Sequence, residues 1–314
     1  MVDFTVAIPT YNGAQRLPQV LEKLRSQTQT ENIAWEVIVI DNNSSDNTAE
    51  VVNKFQNDWL NEVPLRYYRE NKQGLAFARQ KAIQESQGKY VGFLDDDNLP
   101  EPNWVAKAFQ FGEDRPRCGA YGSRIQGIFE SPPPEGFDKI KRFLAVEDRG
   151  NCAYLFDPEN LRLPPGAGLV VRKKAWQECV PAVINLIGRV GGSMLPGSDY
   201  EVLLYLHKGG WEIWYNPEMV IQHRMPASRL DKEYLMRLAY GSGFIIARLR
   251  TVAPKKNWQK PLFFIKGFLG SFRRWILHSW KHQGNFGKSL EIDVERQFLW
   301  SSFLSYIYYL QGKI

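Results

Sequence analysis

Apolar runs and helical stripes alternate along the N-terminal third of the chain. Four short β-prone runs end at polar or turn-forming residues, which is typical of buried strands. They cover residues 4–8, 36–40, 65–68 and 90–94. Helical spacing of apolar residues predicts a helix after the first strand, and further helices begin at Thr48 and span 74–85. Alternating strands and helices with short loops predict an α/β fold with a doubly wound, mainly parallel central sheet.

Polar clusters follow three of these strands. Residues 9–12 follow the first strand, Asp41 follows the second, and residues 95–97, which are all aspartates, follow the fourth. Ligands of such sheets bind at the carboxyl ends of the strands. Three adjacent carboxylates repel one another unless a cation lies among them. Mg²⁺ or Mn²⁺ would offset this repulsion, and such an ion typically also binds substrate phosphates. The alternative is an acidic turn that favours the N-terminus of the next helix.

Glycine-rich phosphate loops are missing from this pattern. Neither G-x-G-x-x-G nor G-x-x-x-x-G-K follows the first strand. A bound nucleotide would therefore be held by side chains and a metal, which argues against a dehydrogenase and against a P-loop enzyme.

Composition indicates an ordinary globular protein, with 44% hydrophobic and 24% charged residues. Cys118, Cys152 and Cys179 are well separated and odd in number, so we expect no disulfide framework and a reducing compartment. The sequence has no signal-peptide pattern at its start and no apolar run of about 18 residues. These features predict a cytoplasmic protein without a spanning helix.

Positive charge is concentrated near the C-terminus. Residues 229–288 contain 13 Lys and Arg against two acids, a local charge of +11, whereas the whole chain carries +6. Aromatic residues lie among these cations at helical spacing. Three interpretations stay open, in order of preference: a peripheral helix on an anionic membrane surface, a helical subdomain that packs on the core or a second protomer, and nucleic-acid binding. No recognisable nucleic-acid module is present, so no nucleic acid is expected.

Four ordered motifs carry a resemblance to a known family. They occupy residues 7–12 (AIPTYN), 39–46 (VIDNNSSD), 71–79 (NKQGLAFAR) and 93–97 (FLDDD), and the match continues at 166–172, 197–201 and 222–224. This pattern resembles the family 2 glycosyltransferases of GT-A fold. The resemblance covers roughly the first two-thirds of the chain.

The resemblance implies a metal-dependent, inverting hexosyltransferase of polysaccharide or glycoconjugate biosynthesis. It would move a sugar from a nucleotide diphosphate donor, by expectation a UDP-sugar, to a hydroxyl of a saccharide or lipid-linked acceptor. The expected division is a catalytic domain at 1–228 and a basic, aromatic helical region at 229–314. A metal-dependent nucleotidyltransferase and a catalytically silent carbohydrate-binding scaffold are the alternatives.

The nucleoside pocket is assigned by the resemblance. Its acid at the end of the second strand is Asp41, and Pro9, Thr10 and Tyr11 would line the same pocket. Asp41 has a structural alternative, since its carboxylate could tie down the turn at 42–46.

The nucleotide phosphates and the metal are assigned in the same way. Gly74 and Arg79 belong to a motif near the nucleotide, although Arg79 could instead lie on a solvated helix face. The D-x-D motif of the family fits Asp95, for ribose and metal, and Asp97, for the metal. Asp96 also falls in the triplet, because a shift by one residue is open.

Asp199 is the candidate general base. In the family an acidic pair precedes a helix, and here Ser198 replaces the first acid, which leaves Asp199 as the main candidate and Glu201 as the second. The structural alternative is that Ser198 and Asp199 cap this helix.

His223 and several small or aromatic residues complete the assignment. The matching family histidine can complete the metal shell or contact the pyrophosphate, and its imidazole suits Mn²⁺; a purely structural histidine is the alternative. Gly166 and Gly168 would let backbone approach the donor sugar or acceptor. Trp211 and Trp214 would either stack on a sugar or belong to the core.

Overall fold

The computed structural model describes residues 2–188 and 195–313 of the chain. Within these ranges the strands are β1 (Phe4–Thr10), β2 (Trp35–Asp41), β3 (Leu65–Arg69), β4 (Tyr90–Phe93), β5 (Asn98–Pro100), β6 (Cys118–Phe129), β7 (Tyr154–Leu155), β8 (Val170–Arg172) and β9 (Glu212–Met225). The helices are α1 (Leu17–Arg25), α2 (Thr48–Asn57), α3 (Leu75–Glu85), α4 (Trp104–Glu113), α5 (Phe137–Ile140), α6 (Lys173–Cys179), α7 (Ser198–Lys208), α8 (Lys232–Phe244), α9 (Ile246–Val252), α10 (Lys260–His282) and α11 (Leu290–Leu310).

One sheet, in the order β3-β2-β1-β4-β8-β6-β9-β5, forms the centre of the molecule, and β7 pairs with β9. Its first four strands are parallel, as the alternating pattern predicts. The long β6–β9 pair is also parallel, so the sheet is mainly parallel, as predicted, but it contains antiparallel pairs as well. Strand β8 is antiparallel to both β4 and β6, and β5 and β7 are antiparallel to β9. Antiparallel pairing needs no crossover helix, so the strand–helix alternation that indicates a parallel sheet ends at β4.

Both faces of the parallel half are covered by helices. All residues of β1 and β2 are buried, which explains why these strands are continuous apolar runs. On one face Val6 and Ile8 belong to a core cluster with Leu21 of α1. On the other face Ala7 belongs to a cluster with Ala78 of α3.

The predicted C-terminal helical region is confirmed, and it packs against the sheet-bearing part of the chain. Leu235 and Leu238 of α8 and Val294 of α11 share a buried cluster with Phe137 and with Met225, the last residue of β9. Aromatic contacts then hold α10 on α11, such as Phe264 on Tyr306 with ring centroids 4.9 Å apart and Phe268 on Phe303 at 5.3 Å.

A search of the described helices for a membrane span finds none with both the length and the apolar character required.

Candidate active site

The carboxyl ends of β1, β2 and β4 meet at one edge of the sheet. Thr10 lies opposite Asp41 in the β1–β2 pair, and the backbone N–H of Leu94, which follows β4, donates to the carbonyl of Ala7 at 3.0 Å. The polar clusters that follow these strands in the sequence are therefore neighbours in space.

Asp96 ties the turn after β1 to the end of β4. The Thr10 hydroxyl donates to its carboxylate at 2.6 Å. Arg16 donates to both oxygens of the same carboxylate, at 2.8 and 2.9 Å. The middle acid of the triplet is thus neutralised by this chain's own arginine, whereas Asp95 and Asp97 have other partners.

Asp41 holds the turn that follows β2. Its carboxylate is buried and accepts hydrogen bonds from the backbone N–H of Ser44 at 2.8 Å and from the Tyr67 hydroxyl at 2.7 Å. Burial, together with this carboxylate, raises the pKa of Tyr67, so the hydroxyl stays a donor. These contacts match the structural alternative for Asp41, and its contact to a nucleoside stays a prediction. Tyr11 lies largely exposed next to Thr10.

Gly74 sets the start of α3. Its φ of +139° is one that side chains rarely adopt, and its N–H donates to the Asn42 side chain at 2.7 Å. The helix that begins here carries Arg79 into the interior, where only 3% of its side chain is exposed. The solvated-face alternative for Arg79 is therefore wrong.

Arg79 joins the two groups of candidate acids. One of its terminal nitrogens, Nη1, forms an ion pair with Asp199. The other, Nη2, lies 3.6 Å from Asp95 and donates to the Gly166 carbonyl at 3.2 Å. The guanidinium also lies over the Phe93 ring, 5.0 Å from its centroid. Burial lowers the pKa of Arg79 and Asp95 opposes this shift, but arginine remains charged in proteins.

Asp199 lies in the first turn of α7, with 18% of its side chain exposed. A Cβ atom at Gly166 would come within 2.1 Å of its carboxylate, so the glycine allows this close approach. Gly197 is the N-cap residue of α7, and no side chain forms a capping hydrogen bond there. The alternative that Ser198 and Asp199 cap this helix is therefore wrong.

Glu201 has a structural role instead. It is fully buried and accepts hydrogen bonds from the Asn185 side chain at 2.9 Å and from the Leu186 backbone at 2.8 Å. A carboxylate that is enclosed and engaged in this way cannot reach an acceptor, so Glu201 drops out as the second candidate base.

Asp97, His223 and Arg229 form a compact group, in which Asp97 and His223 are buried and 28% of the Arg229 side chain is exposed. Nε2 of His223 lies 3.5 Å from one oxygen of Asp97, and Nη2 of Arg229 lies 2.8 Å from the other. Nη1 of Arg229 also lies 3.1 Å from Nε2 of the histidine. Desolvation raises the pKa of Asp97, but hydrogen bonding and charge from His223 and Arg229 outweigh it and hold that pKa well below its usual range.

Arg229 is a residue of the candidate site that sequence reasoning missed. In the sequence it is only the first cation of the basic C-terminal region. No local motif marks it, because its approach to Asp97 depends on how β9 and the following turn bring residues 223 and 229 together.

Asp97 and His223 can supply two ligands of a divalent metal site. A carboxylate oxygen and an imidazole nitrogen suit Mn²⁺, which takes its remaining ligands from substrate phosphates or water. Within residues 2–188 and 195–313, no three His, Cys, Asp or Glu side chains are grouped to hold a metal by themselves. A metal held by Asp97 and His223 would thus depend on the donor phosphates for its remaining ligands.

The remaining candidates lie away from these acids or inside the core. Gly168 has a φ of +64°, and its carbonyl accepts the Ser123 hydroxyl at 2.7 Å. Trp214 packs edge-on against Phe111 at 6.4 Å between ring centroids, and Trp211 lies against Gly119. These contacts match the core alternative for both tryptophans.

Comparison with known proteins shows the family to which this chain belongs. The model of the family described as glycosyl transferase family 2 matches residues 5–162, half of the chain. The chain belongs to this family, and the predicted class of enzyme, a glycosyltransferase, is confirmed.

Two relatives show how far the likeness extends. The uncharacterized glycosyltransferase YfnE of Bacillus subtilis is 33% identical over 153 residues, which are 46% of this chain and 38% of YfnE. The Escherichia coli UDP-Glc:alpha-D-GlcNAc-diphosphoundecaprenol beta-1,3-glucosyltransferase WfaP is 26% identical over 149 residues, 45% of this chain and 57% of WfaP. The chain therefore spans about half the length of these relatives, or less.

A solved structure extends the likeness of the fold to nearly the whole chain. The mannosyltransferase PcManGT of Pyrobaculum calidifontis, in complex with GDP-Man and Mn²⁺, superposes with a TM-score of 0.60 over 97% of this chain and 87% of its own, at 17% identity. The GT-A fold that the resemblance implies is confirmed.

Proposed function

We propose that this chain transfers a sugar from a nucleotide diphosphate donor to an acceptor hydroxyl, with inversion at the anomeric carbon. One observation carries the proposal: Arg79 holds Asp199 on one terminal nitrogen and lies close to Asp95 on the other. A candidate base and Asp95, the first of the acids that follow β4, are thereby kept at fixed positions around one buried cation.

Asp199 acts as general base in this proposal. The ion pair with Arg79 holds its carboxylate in position, and the carboxylate takes the proton of the acceptor hydroxyl while that oxygen bonds to the anomeric carbon. The bond between the anomeric carbon and the diphosphate oxygen breaks, and the nucleoside diphosphate leaves.

Cationic groups offset the charge of the departing diphosphate. Arg229 lies at the end of the acidic triplet and can form charge-assisted hydrogen bonds with phosphate oxygens. When bound by Asp97 and His223, a divalent ion supplies further stabilisation of the same charge. Asp95, next to Arg79, is the proposed contact to the donor ribose.

A UDP-sugar is the proposed donor, and a lipid-linked or growing saccharide is the proposed acceptor. The activity in the name of WfaP supports both, since it combines UDP-Glc with a diphosphoundecaprenol acceptor. The GDP-Man complex of PcManGT makes a guanine nucleotide the main competitor. Nucleotide release measured across several sugar nucleotides decides between them.

Two carboxamide substitutions test the site. Asp97→Asn should abolish the Mn²⁺-dependent part of UDP binding in calorimetry, because it removes a negative ligand. Asp199→Asn should leave donor affinity near that of wild type and lower kcat by about 10²-fold or more. Asp58→Asn, at an acid whose side chain is 91% exposed, is the matched control and should change neither quantity. Full turnover by Asp199→Asn would exclude this residue as the base.

We also propose that the chain acts at the cytoplasmic face of a membrane. The outer side of α10 exposes Leu262, Ile265, Leu269, Ile276 and Trp280. The helix contains five Lys or Arg and no acid. Such a pairing of an apolar stripe with cations fits the surface of an anionic bilayer.

Flotation with anionic vesicles tests this location on the full chain. Leu269→Glu should reduce flotation, whereas Leu60→Glu, in the turn between α2 and β3, should not. If wild type fails to float and forms a dimer that Leu269→Glu dissociates, the face is an interface between two copies and the proposed location is wrong.

A further inference from the structure

A cavity of about 410 Å³ lies beside the C-terminal end of α7. Its walls come from α7, α9, α10 and α11, and they include Tyr205, Lys208, Arg248, Lys260, Phe264 and Tyr309. Asp199 is at the opposite end of α7. Nine residues at 1.5 Å each separate Asp199 and Lys208 by roughly 14 Å along the helix axis, so the cavity is distinct from the candidate active site.

Three cations line this cavity without carboxylate partners. Lys208, Arg248 and Lys260 form no ion pair with any of the described residues. The Lys208 ammonium donates a hydrogen bond to the Asn257 side chain at 3.2 Å. All three are partly buried. Partly desolvated like charges around one space repel one another, and a bound anion relieves that repulsion.

Glu201, an acid close to the cavity wall at Tyr205, does not neutralise these cations. The Tyr205 hydroxyl is 3.5 Å from Glu201, but that carboxylate is fully buried and engaged with the 185–186 backbone. The helix α10 also begins at Lys260 with Pro261 in its first turn, so the positive end of a 23-residue helix adds to the field of the cations.

Part of the lining of the cavity is apolar. Pro261, Phe264 and Leu310 contribute to its lining, and 73% of Leu310 is exposed to solvent. Leu262, the first residue of the exposed stripe on α10, follows Pro261 directly. A ligand that combines an anionic head with an apolar body would satisfy both parts.

We propose that this cavity binds a phosphate group, with the head of an anionic phospholipid as its source. Lys208, Arg248 and Lys260 provide the donors, and the Tyr309 hydroxyl can add a hydrogen bond to a remaining oxygen. The proposal extends the membrane location proposed above, and it does not depend on the transfer reaction.

Binding measurements on the full chain separate the two sources of phosphate. Calorimetry with inorganic phosphate at constant ionic strength probes the free anion. Flotation with phosphatidylcholine vesicles, with and without phosphatidylglycerol, probes the lipid. Arg248→Gln and Lys260→Gln should each weaken binding about 10-fold, since each removes one charge-assisted hydrogen bond. Lys255→Gln, at an exposed neighbouring lysine outside the cavity, is the matched control and should stay within about twofold.

Each result supports or overturns the assignment. Loss of flotation in both cavity variants, with the control unchanged, supports a lipid phosphate site. If wild type binds phosphate but does not float, and the cavity variants lose phosphate binding, the phosphate site is supported and the lipid is excluded as its source. Equal losses in the control and the cavity variants, or no loss in either cavity variant, overturn the proposal.

Lysine acetylation of the wild-type chain keeps the test independent of variant folding. Anionic vesicles or phosphate should protect Lys260 but not Lys255, as read by peptide mass spectrometry. Equal labelling of Lys260 with and without these ligands would contradict the site. Donor-sugar hydrolysis, measured in parallel, reports on the proposed transfer reaction separately.

Discussion

The position of the candidate base, Asp199, depends on Gly166. Its missing side chain leaves room for both Asp199 and Arg79, because a Cβ atom would lie 2.1 Å from the carboxylate and 2.6 Å from the guanidinium. Gly166→Ala should displace Asp199 and lower kcat by about 10²-fold, while donor affinity changes little. Steady-state kinetics with calorimetry of donor binding measure both quantities.

A matched substitution separates this effect from general damage. At Gly284 a Cβ atom would have no neighbour within 4 Å, and the glycine has no unusual φ, so Gly284→Ala should leave kcat unchanged. A Gly166→Ala enzyme with wild-type kcat would show that the base is not held where the structure places it.

Thiol reactivity gives a pH-dependent prediction at single residues. Burial raises the pKa of Cys118 to about 12, whereas Cys152 is exposed. The thiolate is the reactive form, and it is populated only as the pH approaches the pKa from below. At pH 8, iodoacetamide should therefore modify Cys152 and leave Cys118 intact until the chain unfolds. Time-resolved peptide mapping checks the order, and rapid modification of native Cys118 would contradict the packing of β6.

The positions of the candidate acids in the active site were more predictable from the sequence than the residues that they contact. The apolar runs placed Asp95 and Asp97 at the carboxyl edge of the sheet, and the resemblance assigned Asp199 as the candidate base. The pairing of Arg79 with Asp199 and of Arg229 with Asp97 joins segments distant in the sequence. Such contacts depend on tertiary packing, which hydrophobic periodicity does not encode.

Secondary-structure elements show the same limit. Strands β1–β4 alternate with helices and were predicted, since each is a short β-prone run between turn signals. Strand β9 contains Pro217 and changes register against β6, so it has no clean two-residue period along its length. Helix α10 is apolar on two sides, one on α11 and one exposed, and its sequence alone did not tell which side is covered.

The contact between α8 and α11 provides a prediction at the scale of elements. Gly243 lets the helices approach closely, because a Cβ atom there would lie 2.4 Å from the Phe298 carbonyl and 2.8 Å from the Ser302 nitrogen. Gly243→Ala should destabilise the chain by about 1–3 kcal/mol through this overlap with backbone, which outweighs a gain of about 1 kcal/mol in helix propensity. Urea unfolding measures the change.

Gly270 in α10 is the contrasting position. The nearest atom to a Cβ there is the flexible end of Arg274 at 3.5 Å, so only the propensity term remains. Gly270→Ala should stabilise the chain by up to about 1 kcal/mol. Two substitutions of the same kind are thus expected to have opposite signs, and a stabilising Gly243→Ala would contradict the close approach of α8 and α11.

At the scale of the whole molecule, the division between 1–228 and 229–314 is still a prediction. Contacts cross it in several places. Arg229 pairs with Asp97 at 2.8 Å, and Lys139 pairs with Glu291 at 2.6 Å. The buried cluster around Met225 and Leu238 draws on both parts. These contacts indicate that the two parts fold as one cooperative unit, although their charge and composition differ.

Leu238→Ala tests this cooperativity. Leu238 is buried in the shared cluster, so its truncation should lower the free energy of unfolding of the whole chain by about 3 kcal/mol. Leu262→Ala, on the exposed stripe of α10, should cost less than about 0.5 kcal/mol because that side chain is already in water. Tryptophan fluorescence and far-UV circular dichroism should follow one shared urea transition that shifts as a whole in Leu238→Ala. A second transition that alone responds to Leu238→Ala would instead mean that residues 229–314 unfold separately from the sheet.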